Sequence, residues 1–211
     1  MNDGARLSQS GLYGMLAGIL WIANLFVFLL PAGMREISSL LLQFLALVFL
    51  YIAFSGIGDA LGSQEISGNG RTAVIFLTLG VLLSLAVTLW KAGELASAQE
   101  ALQNLALGMQ GGTASEAEVE EMTKQIGTMG RIYLYSFLPF WLLSLIGAFP
   151  LRKAYVQTAE ATEIPQFRTA GNLFLWGIIL TPLLIGGILL LVYYIFVILA
   201  FSKLRTAAQE G

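Results

Sequence analysis

Most side-chain chemistry is closed to this chain from the outset, because it contains neither histidine nor cysteine. That removes imidazole bases, thiol nucleophiles, disulfides and most zinc or haem ligation together, and leaves no redox compartment to read. No nucleophile–base pair, metal-ligand cluster or phosphate-cradling loop stands in the sequence. The carboxylates of Glu116, Glu118, Glu120 and Glu121 form a run, which a solvated helix start explains better than a cation site. Arg152, Lys153 and Arg168 suit anionic headgroups, although stop-transfer flanks look the same. What remains within or at the edge of apolar tracts is a set of amides, Asn24, Gln43 and Asn172, with hydroxyls such as Ser39, Thr88, Ser136, Ser144 and Thr181. Asn24 and Gln43 fall on successive tracts, where interhelical hydrogen bonds worth under about 2 kcal/mol each are the favoured role and substrate binding the lesser one. Asn172 is a third candidate for such a contact. The expectation is of no catalytic residue, no cofactor, no metal and no enzyme.

The elements that must position these groups are greasy. Of 211 residues, 57% are hydrophobic and only 11% charged, with mean hydropathy +0.78. Soluble domains carry roughly 25% charged residues, so there is too little polar surface to wrap a water-soluble globule. Net charge is −2 and the pI is near 5.1, which points away from nucleic acid.

A bilayer core takes about 20 apolar residues as helix. Leu12–Leu30, Ile37–Ser55, Thr72–Trp90 and Ile132–Phe149 each qualify, the last stopped by Pro150 and kinked at Pro139. The first is read as a retained span, since its apolar run is too long for a signal peptide. Between the second and third lies a Gly-rich link containing Gly56, Gly58, Asp59, Gly62, Gly68 and Gly70. The final tract, Asn172–Ser202, has 31 residues, about 46 Å of helix against a core of about 30 Å. It is either one tilted or kinked helix or two short spans, 169–184 and 187–202, folded at Pro182, Gly186 and Gly187. With six spans, Arg6, Arg71, Arg152, Lys153, Arg168, Lys203 and Arg205 lie inside, against Arg35, Lys91, Lys124 and Arg131 outside. With five, Lys203 and Arg205 change sides and the bias vanishes, so the positive-inside rule favours six, with both termini cytoplasmic. Trp90, Tyr133 and Tyr135 then fall at the outer interface, and Tyr13, Tyr51 and Tyr155 near the inner one.

Two internal echoes stand out: Arg71-Thr72-Ala73 with Arg168-Thr169-Ala170, and Ala53-Phe54-Ser55 with Ala200-Phe201-Ser202. Recurring span-end chemistry explains them more readily than a structural repeat. Gly14-x-x-x-Gly18 permits close helix approach.

Residues 91–131 form the one large extramembrane feature, read as two helices around a Gly111-Gly112 turn. Leu95, Ala98, Leu102, Leu105 and Met109 recur at steps of three and four. Val119, Met122, Ile126 and Met129 do the same after a capping-box pair, Ser115 and Glu118. Narrow stripes of this kind suit a two-helix seam. The hairpin is either a solvated connector, the favoured reading, or a docking element for a partner.

The stretch from Phe167 to Gly177, FRTAGNLFLWG, and the tail Gly186-Gly187-Ile188-Leu189 ending in Ile198-Leu199-Ala200-Phe201-Ser202 resemble the C-terminal half of a membrane-protein family, domain of unknown function 996. Its members end this region in an Ala-Phe-Phe-Ser-like motif; here the second Phe is missing. The resemblance is clearest over 152–203 and implies a prokaryotic, mainly archaeal, cell membrane, with no activity, ligand or catalytic residue attached.

The expected fold is thus all-α: a single polytopic transmembrane helical bundle of six spans, alternatively five, with an extracytoplasmic helical hairpin. The expected location is the cell membrane, and the expected partners are lipid and other membrane proteins or a second copy. The expected role is a non-enzymatic scaffold or accessory subunit, the alternative a transporter or channel for an apolar or uncharged solute.

Overall fold

The computed structural model describes residues 3–30, 32–108 and 115–210. Among them the regular structure is entirely helical. The helices are α1 (Asp3–Leu25), α2 (Ala32–Ala60), α3 (Gln64–Trp90), α4 (Ala92–Gly108), α5 (Glu116–Thr162), α6 (Pro165–Leu180) and α7 (Ile185–Glu210). Short 3-10 turns, Val27–Leu29 and Thr181–Leu183, follow α1 and α6. Among the described residues, five stretches are long and apolar enough to cross a membrane: Asp3–Leu29, Ile37–Ala60, Gln64–Trp90, Glu116–Thr162 and Ile185–Glu210. At 16 residues α6 is shorter, about 24 Å at helical rise.

The chain folds as two compact units. The first comprises Met1–Thr78 and Leu143–Gly211, the second Leu79–Leu142.

In the first unit α1 packs on α2 and α7, and α6 packs on α7. The close approach of α1 to α7 depends on Gly14, where a Cβ would collide with the Phe201 ring. Gly18 meets Val197 and Ile198 in the same groove. The Gly-rich link is shorter than its composition suggests, because α2 runs on to Ala60 and α3 begins at Gln64. The turn between them is set by local chemistry. Gly62 has φ +63, Ser63 N–H donates to Gly58 C=O at 2.8 Å and Gly62 N–H to Asp59 C=O at 3.4 Å, a Schellman cap. Ser63 Oγ then accepts from Ile66 N–H at 3.4 Å to open α3.

Pro150 does not stop the fourth apolar tract; α5 continues to Thr162. An interior proline costs a helix about 3 kcal/mol. Here Leu151, Ala154 and Tyr155, just beyond it, are fully buried, and burying a large apolar side chain returns about 1.5–3 kcal/mol. Tertiary packing outweighs the local penalty. The tract Asn172–Ser202, by contrast, is not one helix. It breaks at Thr181–Leu183, with Leu184 left-handed at φ 62, and α6 folds back along α7. Pro182 removes a donor from the ladder, and Gly186 lies so close to Gly177 C=O and Thr181 that no side chain would fit.

In the second unit helical bonds carry the chain across Lys91: its N–H donates to Val87 C=O, and Leu95 N–H to Lys91 C=O, both at 3.0 Å. Thr88 Oγ1 and Ser136 Oγ share a 3.1 Å hydrogen bond, tying the end of α3 to α5. The capping box forms as its spacing predicts. Ser115 N–H and Oγ–H both donate to Glu118 Oε2 at 2.8 Å, while Glu118 N–H donates back to Ser115 Oγ at 3.4 Å.

Candidate functional site

Three constellations concentrate polar or aromatic side chains. The first is an aromatic centre inside the first unit. Phe54 of α2, Tyr155 of α5, Phe167 of α6 and Tyr193 and Phe201 of α7 have no exposed surface. Phe54 stands edge-on to Tyr155 at 5.0 Å, and Phe167 edge-on to Phe201 at 5.0 Å, while Phe174 meets Tyr193 at 4.9 Å. The Tyr155 and Tyr193 hydroxyls share a 3.0 Å hydrogen bond, which satisfies both polar tips in an otherwise apolar core. Tyr155 therefore belongs to the core and not to an interfacial belt. The two Ala-Phe-Ser echoes meet here, since Phe54 and Phe201 are 6.1 Å apart.

The second is a belt of polar contacts joining α5 to its neighbours. Gln157 donates to Glu65 and accepts from Asn69 Nδ2 at 3.0 Å. Arg152 Nε donates to Asn172 Oδ1 at 2.8 Å, and Arg168 pairs with Glu160 at 2.9 Å. Of the three amides singled out in the sequence, Asn172 thus makes a contact between helices, to an arginine. Gln43 Nε2 donates to Ser39 Oγ at 3.1 Å, one turn back on its own helix. Among the described residues Asn24 Oδ1 is buried without a hydrogen-bond partner, as is Ser144 Oγ.

The third is a cleft in the second unit, about 180 Å³, lined by Lys91, Glu94, Thr128, Arg131, Ile132 and Tyr135. Lys91 pairs with Glu94 and its ammonium sits 4.6 Å from the Trp90 ring. Arg131 donates to Thr128 Oγ1 at 3.3 Å. Among the described residues no carboxylate lies within ion-pair distance of Arg131.

The hairpin stripe needs correcting in its second arm. Leu95, Leu102 and Leu105 are half-buried around a buried Ala98, while Met109 and the Gly111-Gly112 turn lie outside the described residues. On α5, Met122 and Met129 are half-buried, but Val119 and Ile126 are 51% and 56% exposed. The inward face runs Met122, Gln125, Met129, Ile132. Both registers contain the two methionines; the aliphatic stem of Gln125 serves where residue type alone selects Ile126. Glu118 and Glu121 are held below the usual glutamate range, Glu118 mainly by the Ser115 backbone N–H and Glu121 mainly by the Gln125 amide.

A family model described as protein of unknown function (DUF996) matches residues 42–195. The chain belongs to the DUF996 family. The match takes in α3, α4, α5 and α6 whole, so the cleft lies within the DUF996 region. An uncharacterized protein of Methanocaldococcus jannaschii, MJ1644, is 31% identical over 72 residues, 34% of this chain and 41% of that relative. The similarity thus spans less than half the length of the relative. No solved structure matches the chain.

Proposed function

We propose that this DUF996 protein is a non-enzymatic, multi-pass scaffold or accessory subunit of the cell membrane, docking another membrane protein through its extramembrane helices. The observation that carries the reading is the exposed pair Val119 and Ile126. Seven residues apart, they lie on one face of a helix, in a segment bearing Glu116, Glu118, Glu120, Glu121 and Lys124 that belongs in water. Apolar side chains lined up there gain stability when a partner covers them. The transporter or channel alternative draws less support, because aromatic rings with no exposed surface fill the centre of the first unit and Gln43 is engaged within its own helix.

The topology proposed with it has both termini cytoplasmic, the helices of residues 91–131 outside, and α6 and α7 as a pair of crossings, α6 the shorter. A cysteine in place of Gly187, labelled from outside by an impermeant maleimide, supports this; labelling from the cytoplasmic side overturns it. For the function, photo-crosslinking residues at positions 119 and 126, in the native membrane, should yield a discrete protein adduct. Position 203 serves as control. Adducts to lipid alone, or none at either position, would reject docking.

A further inference from the structure

The cleft of the second unit lies where two lipid-facing tracts end. Leu89 and Trp90 close α3 with 65% and 76% of their surfaces exposed, and Ile132 marks the start of the apolar tract of α5. Tyr133 and Tyr135 face outward beside it. Aromatic side chains pointing away from a fold at the ends of apolar helices mark the headgroup layer of a bilayer. At that level the cleft presents two cations and one anion, Lys91 and Arg131 against Glu94, a net formal charge of +1. Lys91 is already half-committed to Glu94, whereas among the described residues the guanidinium of Arg131 donates to a neutral hydroxyl and to no carboxylate. A guanidinium offers two parallel donors that match phosphate oxygens; the Thr128 hydroxyl, which gives its proton to Lys124 C=O at 3.1 Å, steadies that guanidinium as an acceptor, and Tyr135 adds a hydroxyl to the lining from the same helix.

We propose that this cleft binds the phosphodiester of an anionic phospholipid headgroup, with Arg131 as its principal ligand and the acyl chains lying along the exposed surface of Leu89 and Trp90. The monoanionic diester matches the net charge of the lining. The Glu94 carboxylate is the anion in the lining, and Lys91 pairs with it. Free phosphate shares the oxygen chemistry, but it carries more charge at neutral pH and gains nothing from the apolar flank. The site is independent of the docking reading and could fail without it.

The test is native mass spectrometry of the full chain in mild detergent, titrated separately with phosphatidylglycerol, phosphatidylcholine and inorganic phosphate. Phosphatidylglycerol should be retained in preference to phosphatidylcholine. Arg131→Gln should weaken its retention about tenfold, while Arg35→Gln, a cation on α2, leaves it unchanged. Thr128→Val keeps every charge and should weaken retention by less than Arg131→Gln, a second reading should the arginine variant misfold. Equal retention by the wild type and both cleft variants overturns the proposal. Displacement of phosphatidylglycerol by millimolar inorganic phosphate assigns the cleft to free phosphate and overturns it as well.

Discussion

At the scale of single residues, two buried polar arrangements behave oppositely. Tyr155 and Tyr193 satisfy one another, so removing either hydroxyl orphans its partner. Tyr155→Phe and Tyr193→Phe should each cost about 1 kcal/mol, whereas the double variant should cost less than the sum. A double-mutant cycle in reversible detergent unfolding measures the coupling. Ser144 presents the reverse case: its Oγ is buried and finds no partner among the described residues. Ser144→Ala removes a desolvated hydroxyl at no packing cost and should leave stability unchanged or raised, read as a melting shift of zero or above.

At the scale of elements, caps and breaks set the boundaries. Leu184 takes a left-handed φ of 62 with 86% of its surface exposed. An L-residue pays roughly 1–2 kcal/mol there, and glycine gives back part of that in unfolded-state entropy. Leu184→Gly should therefore stabilise by about 0.5 kcal/mol, checked by unfolding midpoint. The first turn of α5 answers to pH. Glu118 is held below its ordinary range by Ser115, and Glu121 by Gln125. Because the folded values lie below the unfolded ones, their stabilisation is complete above the ordinary glutamate range and is lost as pH falls through the lowered values. Amide exchange near Ser115–Val119 should accelerate in acid beyond its intrinsic trend and stay flat on going alkaline. Glu118→Gln keeps an acceptor that does not titrate, and should blunt the acid effect.

At the scale of the whole molecule, glycines sort by what they face. Gly14 abuts the Phe201 ring, whereas Gly68 meets nothing. Gly14→Ala should wedge α1 from α7 and cost about 1–3 kcal/mol, while Gly68→Ala should gain about 0.5–1 kcal/mol from helix propensity alone. Parallel melts of the two variants separate packing from propensity. The paired outcome also tests which face of each helix is committed to the fold and which is free for lipid.

The all-helical architecture and the apolar tracts were legible because they rest on composition and on spacings of a few residues. The capping box of Ser115 and Glu118 and the break near Pro182 are of the same kind: a cap needs only its own turn, and a proline removes its donor wherever it stands. Tertiary structure alone decided the rest. Pro150 lies inside a helix because Leu151, Ala154 and Tyr155 are fully buried beyond it, a gain no local window contains. The seam on α5 chose Gln125 over Ile126 because the facing surface, not hydropathy, sets which side of a helix turns inward. The aromatic centre gathers Phe54, Tyr155, Phe167, Tyr193 and Phe201 from four helices. The chain that separates them runs up to 147 positions, from 54 to 201, and periodicity carries no information over such a distance.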